Sequence, residues 1–136
     1  MKLLMFYCPQ FGWKPFQRTA DQAMPDPEQK TVSNAAVIFY HCEEQDPERH
    51  SKVRTKALKN IKWLANKFAT DRIILHSFNH LSESKADADF SADLVRQVRA
   101  RLEDTGYRVE ETPFGWLNEW WMHVAGPSLA KVFKDI

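Results

Sequence analysis

Residues 51–78, SKVRTKALKNIKWLANKFATDRIILHSF, decide the fold. Val53, Ala57, Leu58, Ile61, Leu64, Ala65 and Phe68 recur at the spacing of one helical face, while Lys52, Lys56, Lys59, Lys62 and Lys67 lie largely elsewhere on the surface. An amphipathic helix is the consequence. Ile73-Ile74-Leu75-His76-Ser77-Phe78 then reads as a strand that emerges directly from this helix and lies on the sheet beneath it. Before the helix, Ala35-Ala36-Val37-Ile38-Phe39-Tyr40-His41-Cys42 is long, β-branched and aromatic, as a central strand should be.

The rest of the chain is read outward from that unit. Lys2 to Cys8 is an apolar run ending at Pro9, and Phe11 to Phe16 alternates aromatic with small or polar residues, so two strands are expected there. Asp21 to Lys30, with two prolines, is a loop. Phe90, Leu94, Val95, Val98 and Leu102 mark a second helix that Gly106 stops. Tyr107–Thr112 and Trp120–Ala125 read as strands, and a short helix closes the chain. The predicted order is β-β-β-α-β-α-β-β plus a short C-terminal helix. It describes a single α/β domain over residues 1–136 with a mixed or antiparallel sheet.

Charged residues make up 27% of the chain yet balance to +1, so no basic tail or acidic block announces a partner. No apolar run approaches the ~18 residues of a membrane span, and a cytoplasmic protein without a membrane partner is expected. Cys8 and Cys42 have no zinc-ligand spacing and read as buried free thiols. His76 and His80 lack a carboxylate or cysteine at matching spacing, so neither a metal nor a cofactor is expected. The four glycines are scattered, which excludes a phosphate-binding loop, and no nucleophile elbow appears.

Two segments remain as candidates for a site. Ser77-Phe78-Asn79-His80-Leu81-Ser82 follows the carboxyl end of a strand, where α/β sheets commonly receive ligands; holding a loop by hydrogen bonds is the alternative for His80 and Ser82. Pro113-Phe114-Gly115-Trp116 is a turn whose glycine lets a ligand approach the main chain. Trp116, Trp120 and Trp121 beside it either stack on a base or pack in a core or dimer interface.

These features, in this order, resemble the editing domain at the N-terminus of archaeal threonyl-tRNA synthetases. The resemblance runs from the Met-Lys-Leu-Leu opening through Phe78-x-His80-Leu81-Ser82 and Pro113-Phe114-Gly115 to Gly126-x-x-Leu129-Ala130. It implies a fold like the D-aminoacyl-tRNA deacylases, a homodimer, and hydrolysis of serine wrongly esterified to threonine tRNA, with the tRNA 3′ end as ligand. It also implies that His80 and Asn118 occupy catalytic positions. Ser77, Phe78, Asn79, Pro113, Phe114, Gly115, Trp116, Leu117 and Lys131 would then bind the substrate. Counting from the motifs, Leu117 and Asn118 stand where the family has tyrosine and lysine, and Lys131 where it has glutamate. Altered amino-acid preference is the resulting expectation, in a free-standing relative, since no synthetase module follows Ile136.

Overall fold

A computed structural model describes residues 1–136. Lys2–Arg18 forms one strand, β1, instead of the two expected from Pro9. Proline removes one ladder donor, but Cys8 still pairs with Ala35 and Gln10 with Ser33, so the neighbouring strand carries β1 across the gap. That neighbour is β2, Lys30–His41. The chain continues through α1 (His50–Lys67), β3 (Arg72–Ser77), α2 (Ala88–Asp104), β4 (Arg108–Glu111), β5 (Trp116–His123) and β6 (Lys131–Asp135). The expected closing helix is only a 3-10 turn at Ser128–Ala130, and Lys131–Asp135 is instead a strand paired with Lys2–Phe6.

The six strands make one mixed sheet in the order β4-β3-β2-β1, with β5 and β6 both on the far side of β1. β2, β3 and β4 are parallel, whereas β1 is antiparallel to β2, β5 and β6. Both helices cover one face. There Val53, Ala57, Ile61 and Leu64 of α1 and Leu94, Val98 and Leu102 of α2 bury Leu3, Met5, Ile38, Ile73 and Leu75. The other face holds a second cluster built on Cys8, Phe11, Trp13, Val32, Val37, Phe39 and Ile74.

The parity of inward residues changes within both long strands, from Cys8 to Phe11 in β1 and from Val32 to Ala35 in β2. Strict alternation would send Phe11 and Val32 to the opposite face. Asn34, at φ 52, sits at the break opposite Pro9 and supplies the reversal. Its left-handed backbone is held by two hydroxyls: Tyr7 donates to its side chain at 3.1 Å and Thr70 donates to its carbonyl.

The amino group of Met1 is buried and donates to Glu43 Oε1 at 2.9 Å and Asp46 Oδ1 at 2.8 Å. Asp46 Oδ2 in turn accepts the Glu43 backbone N–H at 2.7 Å. Burial works to raise the Glu43 pKa, but hydrogen bonds from Met1 and Ser82, with the charges of Met1 and Lys2, hold it down to about 2. The folded state therefore binds fewer protons than the unfolded chain between about pH 5 and 2, and stability must fall as pH drops through that window. Glu43 should contribute ~3 kcal/mol at neutral pH. Urea unfolding of Glu43→Gln should show that loss at pH 7 and a flatter dependence on pH below 5 than the natural chain.

Candidate functional site

Parallel strands β2, β3 and β4 end together, and the chain leaves them in two turns that face each other. Tyr40 stands opposite Ser77 and Leu75 opposite Glu111, so the ends of the three strands are level. Between the turn after β3 and the turn before β5 opens a cleft of about 400 Å³. Ala88, the first residue of α2, also lines it, which puts the positive end of that helix dipole at the margin.

Of the residues expected from sequence, Ser77, Phe78, Asn79, His80, Pro113, Phe114, Gly115, Trp116, Leu117 and Asn118 all line this one cleft. Lys131 does not. Asn118 pairs with Pro15 of β1 and Lys131 with Phe6, nine positions away. That separation is roughly 30 Å along an extended strand. Lys131 donates instead to the Gly126 carbonyl at 3.1 Å, so its positive charge does not reach the cleft of its own chain. The three indoles also divide. Trp116 and Trp120 line the cleft, while Trp121 lies across Gly12, where a Cβ would meet its ring at 2.2 Å.

Tyr40, Thr112 and Glu111 carry no local signal in the sequence reading, which considers His76 only for metal binding and sets it aside. The available signal was the level ending of parallel strands, which brings the last residues of β2 and β4 to the same rim as those of β3. His76 is nearly inaccessible, and burial pushes its pKa down to about 4, so the ring is neutral at pH 7. Its Nδ1 meets Thr112 Oγ1 at 2.9 Å, leaving Nε2 without a protein partner on the cleft floor. Phe39, Phe78 and Trp120 surround it, with ring centroids 4.5, 6.4 and 5.1 Å away. His80 is exposed at the rim with its ring edge-on to Phe78 at 5.0 Å.

The loop carrying His80 is tied to the end of β2. His41 Nδ1 accepts the Leu81 N–H at 3.1 Å, so the ring proton resides on Nε2 and is donated to the Ser84 carbonyl at 2.6 Å. Ser82 donates to Glu43 Oε2 at 2.7 Å, which makes it a loop anchor. Asn118 donates through Nδ2 to the carbonyls of Trp116 at 3.2 Å and Pro113 at 3.5 Å. Reversing the amide would set oxygen against oxygen, so the orientation is fixed. Its Oδ1 is then enclosed with no protein partner, which costs about 1–3 kcal/mol.

The amide N–H groups of Asn79, His80, Phe114 and Gly115 also find no acceptor within the protein. Two turns thus bring unpaired main-chain donors to one cleft whose side chains include a single fixed charge, Glu111. No activated nucleophile is present. Burial pushes the nearest thiol, Cys42, up to about 11, far from the thiolate form. The arrangement can bind a planar apolar group against Phe78 and Trp120, and can stabilise a developing oxyanion with main-chain donors.

A small α/β domain with a turn-lined cleft at its strand ends is the class that fold and site define. The solved structure of the c-Myc DNA Unwinding Element Binding Protein shares the fold, with a TM-score of 0.67 at 11% identity, over 100% of this chain and 99% of that one. The family described as the Archaea-specific editing domain of threonyl-tRNA synthetase matches residues 1–136, and the chain belongs to it. Threonine–tRNA ligase of Methanopyrus kandleri is 25% identical over 138 residues, covering 100% of the chain and 22% of that protein. The Thermococcus kodakarensis ligase is 29% identical over 123 residues, covering 85% and 20%. The Staphylothermus marinus ligase is 28% identical over 144 residues, covering 100% and 22%. The chain spans about a fifth of the length of these relatives.

The second wall of the cleft rests on Gly115, at φ 77. Its carbonyl accepts from the Thr19 N–H at 2.8 Å and Thr19 Oγ1 at 2.9 Å, while the Phe114 carbonyl accepts from Met24 at 3.0 Å. A Cβ on Gly115 would lie 2.7 Å from the Ala23 backbone. Gly106, at φ 96, has open space around it. Gly106→Ala should therefore cost only the ~1–2 kcal/mol of left-handed backbone, and Gly115→Ala more. Thermal unfolding of the two variants checks the order, and proteolysis between residues 19 and 29 should be faster in Gly115→Ala alone.

Proposed function

We propose that the domain receives the aminoacylated 3′-terminal adenosine of a tRNA in this cleft and hydrolyses the ester. The observation that carries the reading is that four residues whose main-chain N–H groups are unpaired line one cleft with an aromatic wall, in a chain of an editing-domain family. The adenine stacks against Phe78 or Trp120. The ester carbonyl lies towards the Asn79–His80 or Phe114–Gly115 amides, and Asn118 braces the second turn through its bonds to the Trp116 and Pro113 carbonyls. Water attacks the carbonyl carbon, the bond to the ribose oxygen breaks, and that oxygen leaves with a proton. Orientation and oxyanion stabilisation supply most of the acceleration, because His76 is too weak a base and the Asn118 amide does not move a proton.

The amino-acid preference differs from serine in this reading. Support comes from Leu117 and Asn118 lining the cleft where the family resemblance leads one to expect tyrosine and lysine. Lys131 lends no support, since it pairs with Phe6 of β1 away from the cleft. A homodimer is part of the proposal as well: β5 and β6 are edge strands, and Leu117 and Phe133 on them are 54% and 52% exposed. Light scattering at micromolar concentration should give twice the chain mass.

The direct test is a panel of charged tRNAs. At least one ester should be hydrolysed well above the buffer rate, and seryl-tRNA for threonine should not be the preferred one. Asn118→Ala should lower kcat/KM about tenfold, equivalent to ~1.4 kcal/mol. Asn118→Lys should raise seryl-ester hydrolysis, and His80→Ala should lower it again. Tight binding of the uncharged 3′ end without turnover of any ester would instead establish a binding module.

A further inference from the structure

We propose that the outer face of α1 is a docking surface for the phosphodiester backbone of folded RNA. The identity of that RNA as the body of the tRNA rests on the cleft reading above. Helix α1 carries six of the chain's nineteen Lys and Arg and none of its eighteen Asp and Glu. The whole chain is only +1, so positive charge is segregated onto this helix. Lys52, Lys56, Lys59, Trp63 and Lys67 are exposed and recur every three or four residues, forming one ridge. An 18-residue helix extends that ridge over about 27 Å.

None of these four lysines makes an ion pair, nor does Lys62 elsewhere on the helix. Folding does not account for the arrangement. Like charges three and four residues apart weaken a helix, and Lys52 stands in the first turn, where the dipole is already positive and no side chain caps it. A surface that opposes its own helix and leaves its cations unpaired is built for an anion outside the molecule. Trp63, 40% exposed, interrupts the ridge with a flat indole, and Lys134 of β6 adds a further cation 5.8 Å from the ring centre.

The occupant is a polyanion with evenly repeated charge. Successive cations lie about 5–6 Å apart along the helix, a spacing that suits consecutive phosphates on a nucleic acid strand. A lipid surface would ask for an apolar stripe beside the cations, and Trp63 is the only large exposed apolar side chain on the helix. The ridge also begins at the right place. α1 follows β2 through a 3-10 turn at Asp46–Arg49, so its first turn lies toward the end of the sheet where Tyr40 lines the cleft.

The experiment is fluorescence anisotropy of labelled, uncharged tRNA at several salt concentrations, with the full chain and a Lys56→Gln/Lys59→Gln variant. Glutamine keeps the helix propensity of lysine, and circular dichroism checks that the variant is folded. Losing two phosphate contacts should make the slope of log affinity against log salt shallower by about 2, with at least a tenfold loss of affinity at low salt. Arg101→Gln, on the exposed side of α2, should change neither. An unchanged slope in a protein that still hydrolyses an aminoacyl-tRNA would overturn the docking face and leave the cleft reading standing. The expected slope change in a protein that hydrolyses no ester would uphold the face and count against the cleft's chemistry. Binding to phosphatidylserine vesicles but not to RNA, lost in the same variant, would overturn the assignment to RNA.

Discussion

Parallel pairing of β2 with β3, with Tyr40 set opposite Ser77, is the constraint on which the rest of the structure depends. Parallel neighbours need a crossover, and α1 supplies it while covering the face built on Ile38, Ile73 and Leu75. The same connection through α2 adds β4, so three strands end at one level and their chains leave in the same direction. Turns gathered at such an edge have main-chain groups that the sheet no longer pairs. The unpaired amides of Asn79, His80, Phe114 and Gly115 are therefore a product of topology before they are a product of any side chain.

Side chains then decide what those amides meet. Around His76 the cleft is aromatic and neutral, and burial keeps the imidazole uncharged through the physiological range. At the outer wall, Gly115 and Thr19 lock the loop after β1 against the second turn, so the cleft has two rigid sides. At the inner wall, His41, Glu43 and Ser82 fix the His80 loop to the end of β2 and to the buried amino group of Met1. The cleft holds one fixed charge, Glu111, whereas positive charge is concentrated on α1, which suits a ligand whose body is a polyanion.

Much of this was legible in the sequence because hydrophobic period survives wherever one face of an element is buried. Both helices, β2 and β3 follow their apolar spacing, and the two motif segments meet as the resemblance implied. Elements governed by pairing were less visible. Pro9 argued for a break that β2 bridges, and the face reversal at Asn34 has no local signature stronger than a single asparagine. Lys131–Asp135 is too short to show a period, and only its pairing with Lys2–Phe6 makes it a strand where the sequence predicts a closing helix. Counting along the chain from the motifs predicts Lys131 in the cleft, whereas register along β1 sets it far from Asn118.

The central claim is that the cleft is a seat for an aminoacyl-adenosine. It is tested most directly by titrating a non-hydrolysable 3′-aminoacylamido-adenosine into isotopically labelled protein and following the amide and side-chain resonances. Saturable shifts confined to the Asn79, His80, Phe114 and Gly115 amides, the Asn118 side-chain amide and the Trp120 indole are the predicted result. No shift at millimolar ligand, or shifts centred on another part of the molecule, would contradict it.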